Sequence, residues 1–326
     1  MNCPICNSAM SEPVDDLFAL PSVTSDCRPW GVGRSVRICG GCGVMRRAVL
    51  PGADFRSIYD DYKSYPEPEG RTRKIIEFVK DKIPSPEMVL DLGCGQGDGV
   101  TELQIQYHNA DVYGYDPYSK LWDVKPHADF KYDLVTLFHV FEHVEDIHEM
   151  LGYIKSILTD NGHLLIQVPY ATMWPFDLIL ADHIWHFTMK SLKLLLNKSG
   201  FGIIHINNFV ITKEITVLAK IGKQLKSSMI AANSKESIDW ILNYKKHLDT
   251  INTPVAVYGT GPAAAWAGSI LCDKVICYID DDSKRWGEFN GKSVVAIIDK
   301  HIPVVAPFPD WQLPAIKAKH PNLRFL

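Results

Sequence analysis

One stretch constrains this chain more than any other: Val89-Leu-Asp-Leu-Gly-Cys-Gly-Gln-Gly97. An apolar run reaches an acidic residue and then alternates with glycine at positions 93, 95 and 97. Glycines placed so let the backbone turn tightly from a strand into a helix and approach a ligand that any Cβ would push away. The free N–H groups and positive dipole end of the following helix suit a carboxylate. The next apolar run, Asp111-Val-Tyr-Gly-Tyr, ends at Asp116, whose carboxylate can accept both hydroxyls of a ribose.

The surrounding pattern extends this into an α/β architecture. Met88–Leu92, Asp111–Asp116, Tyr132–Phe138 and His163–Val168 read as strands, each short, apolar or β-branched, and bounded by Gly, Asp or Pro. Residues 99–108 and 144–158 read as helices between them, which predicts a parallel sheet covered on both faces. Phe201–Ile206 and Glu214–Lys220 are further strand candidates after a helix over 189–199. The polar stretch 224–236 and a helix over 238–248 follow. Then α/β texture restarts with a strand at Pro254–Tyr258, a helix over 263–272 and a strand at Lys274–Ile279. A chain of 326 residues exceeds one ordinary core. The expected division is residues 1–47, 48–223 and 224–326.

Asp-Leu-Gly-Cys-Gly-x-Gly followed by Gly-Tyr-Asp-Pro resembles motifs I and II of the class I S-adenosylmethionine-dependent methyltransferases. Dinucleotide enzymes use Gly-x-Gly-x-x-Gly without the leading Asp-Leu, so Asp91 discriminates between the two; family members place an acidic residue there near the methionine amine. The resemblance implies a Rossmann-like core binding S-adenosylmethionine through Asp91, Gly93, Cys94, Gly95, Gly97 and Asp116. Tyr132 to Val144 resembles motif IV, which puts Phe138 and His139 at the cofactor cleft. Leu164 to Tyr170 resembles the fifth strand and its exit. The short stretch between Asp116 and Tyr132 implies that the usual helix and third strand are shortened or missing, and with them the residue that reads the adenine. Trp122 and Asp123 are the candidates there. His139-Val-Phe-Glu-His143 also matches the His-x-x-Glu-His pattern of inverse zinc proteases. It follows directly on an apolar strand, where this family commonly shows Glu-His before a helix, so Glu142 and His143 are read as lining the cleft or starting a helix.

Five of the eight cysteines fall in the first part of the chain. Cys3-Pro-Ile-Cys6 and Cys39-Gly-Gly-Cys42 are two knuckles, which together complete a closed four-sulfur Zn2+ site of structural type. Cys27 is either a substitute ligand or a free buried thiol. No basic or apolar leader opens the sequence and no apolar run reaches membrane-spanning length, so the expected compartment is the cytoplasm, with no membrane partner. A net charge of −4 offers no electrostatic reason for a nucleic-acid partner.

In the third region, Tyr258-Gly-Thr-Gly-Pro-Ala-Ala is similar to the turn of a nucleotide-binding half-fold, with Asp280 placed to meet a ribose. It either binds a nucleotide or is a structural remnant. The order of zinc module, methyltransferase core and smaller Rossmann-like C-terminal domain resembles the sugar C-methyltransferases, in which the last domain helps hold a nucleotide-linked keto-deoxy sugar. That resemblance implies a small-molecule acceptor and a base that removes a proton beside a carbonyl. Ala181-Asp-His-Ile-Trp-His-Phe-Thr188 resembles the family's His-Glu-His-x-x-Tyr-Phe-Ser, with Ala181, Asp182 and His186 departing from it. His183 then stands at the catalytic histidine, and Asp182 either holds its imidazole or acts directly. His186 is the alternative, since many relatives carry only His-Phe-Thr. In the bland reading these residues cap a helix starting after Thr188. Tyr59, Tyr62 and Tyr65 match a segment that closes over the cofactor, and Tyr62 joins the catalytic candidates. Two alternatives stand beside C-methylation: an O- or N-methyltransferase on another small molecule, and a scaffold or binding protein that keeps the fold without the chemistry. The oligomeric state is not legible.

Overall fold

Short apolar strands alternate with amphipathic helices along most of the chain. The computed structural model describes residues 1–326 except 16, 18, 19, 31–34, 49–55, 61, 63–69, 127, 128, 223–232 and 297. Near the N-terminus, β1 (Val36–Ile38) and β2 (Met45–Arg47) form an antiparallel hairpin whose turn carries Cys39 and Cys42. Helix α1 (Arg71–Val79) leads into β3 (Met88–Leu92), α2 (Asp98–Gln106), β4 (Asp111–Tyr115) and β5 (Tyr132–Phe138). Helix α3 (Ile147–Ile157), β6 (Leu158–Pro169), the short β7 (Trp185–His186), α4 (Met189–Lys198), β8 (Phe201–Asn207) and β9 (Glu214–Ile221) complete the central region.

The central sheet has the order β4-β3-β5-β6-β9-β8. Strands β4, β3, β5 and β6 are parallel, but β9 runs antiparallel to both β6 and β8. The four strands read as a parallel sheet are parallel, and the two further strand candidates join that sheet through the reversed β9. The cause is local: too few residues separate β8 from β9 for a parallel crossover, which takes a dozen or more. Strand β4 is the sheet edge, and among the described residues no strand lies between it and β5. The third strand of the usual pattern is therefore missing, as the short spacing implied.

Helix α3 buries Ile147, Leu151, Ile154 and Ile157, one stripe at helical spacing, and Asp146 caps it by accepting from the N–H groups of His148 and Glu149. Helix α4 starts at a capping box in which Thr188 Oγ1 accepts from Ser191 N at 3.1 Å. The bland reading of Thr188 as an N-cap thus holds.

The third region comprises α5 (Ser234–Asp249), β10 (Val255–Tyr258), α6 (Pro262–Leu271), β11 (Val275–Ile279), β12 (Gly287–Phe289), β13 (Lys292–Val295), β14 (Pro303–Val305), α7 (Leu313–Lys319) and β15 (Arg324–Phe325). Its sheet order is β12-β13-β11-β10-β14-β15, parallel except for the β12–β13 hairpin.

Two features tie the regions together. Strand β2 pairs with β7, so Met45 lies opposite His186 across a three-stranded sheet. One hydrophobic cluster joins Leu17, Val23 and Cys27 to Phe176 and Leu178 and to Ile238, Trp266 and Leu271. No helix among the described residues is long and apolar enough to cross a membrane.

Candidate active site

A single cavity of about 1270 Å³ runs from the glycine loop, past residues 180–184, to the Gly259–Gly261 turn of the third region. At the loop, Gly93, Gly95 and Gly97 all have positive φ, at 81°, 56° and 93°. A Cβ on Gly93 would lie 2.3 Å from Val140 Cγ2, and one on Gly99 would lie 2.3 Å from Asp91 Oδ2. Asp91 is buried at the end of β3 and accepts from Thr136 Oγ1 at 2.6 Å. Asp116 accepts from Gly95 N at 2.9 Å and Tyr118 N at 2.8 Å, which locks the second carboxylate against the turn. The loop, the two carboxylates and the start of α2 fit an adenosyl group with a charged amino-acid tail. Cys94 lines the same wall, its thiol pushed up to about 12 by burial and then by the charges of Asp91 and Asp116. Of the two adenine candidates, Trp122 packs beneath the loop, where a Cβ on Gly97 would meet its Nε1 at 2.8 Å. Asp123 is exposed.

Phe138 and His139 lie on the cleft wall where β5 ends. His139 has φ 55°, and its Nδ1 faces Glu142 Oε1 at 3.0 Å. Arg71 also bonds His139 Nε2, and pairs with Glu214 Oε1 at 2.5 Å. Burial, and after it the Arg71 charge, holds the His139 pKa well below the usual histidine value. Residues 141–143 form a 3₁₀ turn instead of a helix. His139 and His143 therefore do not share the helix face that a zinc protease would need.

The candidate acceptor residues converge at the middle of the cavity, held by partners from three parts of the chain. His183 Nδ1 lies 2.6 Å from Asp177 Oδ1, and His186 Nδ1 lies 2.6 Å from Asp177 Oδ2. Asp182 is the expected partner of the His183 imidazole, but His183 Nδ1 donates to Asp177, a residue that no sequence motif singles out. Asp177 sits in the turn Pro175–Ile179, with only a Pro-Phe-Asp-Leu-Ile run to mark it. Asp182 accepts from Ser25 N at 2.9 Å and from the Ser25 hydroxyl, and lies 3.5 Å from His143 Nδ1. Ser25 Oγ bonds Tyr62 Oη at 2.9 Å, and Tyr59 Oη bonds His143 Nδ1 at 3.1 Å. Tyr59 and Tyr62 therefore face the site, whereas Tyr65 lies outside the described residues. Burial first, and the neighbouring His183 charge second, lower the His143 pKa to about 4. His186 is fully buried on β7, a setting for a structural side chain more than for a group meeting substrate.

At the far end of the cavity, Gly259 takes φ 96° and Thr260 Oγ1 donates to Asp280 Oδ2 at 2.6 Å. Asp282 N donates to Asp280 Oδ1 at 3.0 Å. Arg285 lines the same end.

The four N-terminal sulfurs of Cys3, Cys6, Cys39 and Cys42 lie within 4.8 Å of one another. Cys3–Cys42 and Cys6–Cys39 are 3.7 and 3.3 Å apart. A tetrahedral zinc with Zn–S bonds of about 2.3 Å sets its sulfurs about 3.75 Å apart, so the donor set fits that ion. Cys27 is not part of this group; it is a buried free thiol whose Sγ points at the Thr260 carbonyl, 3.8 Å away.

Residues 67–206 match the family described as a methyltransferase domain. These residues contain the glycine loop, Asp116 and the acceptor-side histidines. Residues 67–206 therefore resemble a methyltransferase domain, and they include most of the central sheet on which the glycine loop is carried. A C-methyltransferase, NovU of Streptomyces niveus, is 30% identical over 71 residues, which is 21% of this chain and 17% of that protein. Solved structures that match part of the chain include an S-adenosylmethionine-dependent methyltransferase from Clostridium acetobutylicum, at 15% identity and TM-score 0.39, covering 52% of this chain and 98% of the other. Another is the Burkholderia thailandensis 1,6-didemethyltoxoflavin-N1-methyltransferase, at 16% identity and TM-score 0.42, covering 58% and 96%.

Proposed function

We propose that the enzyme methylates a carbon of a small nucleotide-linked keto-deoxy sugar. One observation carries this reading: the cofactor loop, His183 and the Gly259–Gly261 turn open into the same cavity. A nucleotide seated against Gly259, Thr260 and Arg285 would extend its sugar toward His183, with the cofactor loop on the opposite side. The partial likeness to a C-methyltransferase supports a carbon acceptor.

In this reading Asp91 holds the amino group of S-adenosylmethionine and Asp116 its ribose hydroxyls, with Gly93, Cys94, Gly95, Gly97, Phe138 and His139 lining its cleft. The bound sulfonium supplies the electrophilic methyl group. His183 takes the proton from the carbon beside the carbonyl, and the C–H electron pair moves into an enolate whose carbon receives the methyl. Ser25 and Tyr62 fix the Asp182 carboxylate beside the base, and Tyr59 and Tyr62 cover the cavity. The four cysteines hold a structural zinc. The three-part layout, with boundaries near residues 47 and 223, belongs to the same proposal.

Two measurements test it. Calorimetry with S-adenosylmethionine should show binding, and an absence of heat would leave only a non-catalytic scaffold. With a nucleoside-diphosphate keto-deoxy sugar as acceptor, His183→Ala should abolish turnover at unchanged cofactor affinity. Undiminished turnover would remove His183 as the base and favour O- or N-methylation.

A further inference from the structure

Asp177 has no part in the chemistry above, yet it is a fully enclosed carboxylate held between two histidines beside the reacting centre. It is 0% exposed, and its two partners, His183 and His186, are 3% and 0% exposed. Each carboxylate oxygen takes one Nδ1 at 2.6 Å. An ionised carboxylate only accepts, so both Nδ1 atoms carry hydrogen and each neutral ring keeps its lone pair on Nε2. Protons, not a metal ion, account for these separations. A zinc ion about 2.0–2.1 Å from each ligand would hold nitrogen and oxygen roughly 3.3 Å apart.

We propose that Asp177 is the positioning residue for the base: it fixes the His183 tautomer with Nε2 basic and stabilises the imidazolium formed when Nε2 takes the substrate proton. This rests on the reading of His183 as the base. The proton arrives from the carbon beside the carbonyl, whose electron pair stays on the enolate, and later leaves Nε2 to solvent. The arrangement does for a carbon acid what an orienting carboxylate does for the histidine of a serine hydrolase.

His183 is faced by Asp177 from the 175–179 turn, by Asp182 beside it, by His186 from β7, and by His139, Glu142 and His143 from the turn after β5. Burial acts to lower the His183 pKa. The hydrogen bond and charge of Asp177, with the charges of Asp182 and Glu142, outweigh it and raise the value. Asp177 itself is held ionised: burial opposes its charge, but the two imidazoles overcome that.

The test combines nitrogen-15 NMR of histidine-labelled full-length protein with kinetics of Asp177→Asn. In the unsubstituted chain, the His183 ring should show a proton on Nδ1 and titrate above the ordinary histidine value. Asp177→Asn should lower that midpoint and move the rising limb of the pH–rate profile to lower pH. It should also cut kcat on the order of 10²-fold with the keto-sugar acceptor, at unchanged cofactor affinity. A proton on Nε2 in the unsubstituted chain overturns the inference even if the variant fails to fold. So does an unchanged midpoint and profile in Asp177→Asn, or a zinc content that falls in that variant. Full turnover by His183→Ala defeats the functional reading instead, while the NMR result still reports whether Asp177 sets the ring.

Discussion

Glu142→Gln should change how stability depends on pH, and the effect can be worked from the carboxyl's surroundings. Glu142 is fully buried behind the cleft, with Oε1 facing His139 Nδ1 at 3.0 Å and Oε2 without a hydrogen-bond partner among the described residues. Burial pushes its pKa up from 4.5 to about 8, helped by the charges of Asp177 and Glu214 and resisted by His183 and a backbone hydrogen bond. An acid whose folded pKa exceeds its unfolded value contributes stability in full below the unfolded value. That contribution is lost as pH rises through the folded one. The window therefore runs from about pH 4.5 to about pH 8, and the loss across it approaches roughly 5 kcal/mol. A glutamine cannot ionise and escapes the loss. Urea unfolding of both proteins at pH 5, 7 and 9 reports it, because groups away from Glu142 titrate alike and cancel, leaving its own ionisation and its coupling to His183. The variant should gain on its parent by several kcal/mol between pH 5 and pH 9. A difference that stays constant would mean that Glu142 ionises as readily folded as unfolded, and the argument from its burial would fall.

Two further outcomes follow from the same geometry. Gly93→Ala places a Cβ 2.3 Å from Val140 Cγ2 at φ 81°. S-adenosylmethionine affinity measured by calorimetry should fall at least about tenfold, the equivalent of about 1.4 kcal/mol; unchanged affinity would remove the loop from the cofactor site. Purified protein should contain one zinc per four-cysteine set by elemental analysis, and Cys42→Ser should lose it. Because Thr188 and Ser234 donate to the carbonyls of Cys42 and Gly43, that variant should also melt at lower temperature. A metal-free parent with the same melting point would refute the zinc assignment.

Much of the fold was legible because its strands are local statements. Tyr132–Phe138 is apolar at nearly every position, as a strand covered on both faces must be, and Asp111–Tyr115 stops at the carboxylate that meets the loop. Strand direction was harder, since apolar runs read alike in either sense. The reversal of β9 was nevertheless implicit in the short link from Asn207 to Glu214. On the acceptor side, His183 and Asp182 stood out by resemblance, whereas Asp177 and Ser25 did not. Their roles depend on contacts across the fold, such as the 157-residue separation between Ser25 and Asp182, which no local pattern encodes. The dual grip of Asp177 on His183 and His186 likewise needs the loop to double back on itself.

The hydrophobic cluster shared by the three regions has a mechanical consequence. Phe176 and Leu178 flank Asp177 and belong to one buried cluster with Val23, Ile241 and Trp266, the Phe176 ring meeting that of Trp266 edge-on at 5.8 Å. The N-terminal turn behind Val23 carries Ser25, which grips Asp182, and Cys27, which abuts the Thr260 carbonyl. The Gly259–Gly261 turn, Cys27, Ser25 and Asp182 thus lie along one packed seam, so a bulkier residue at Cys27 should strain both of its ends.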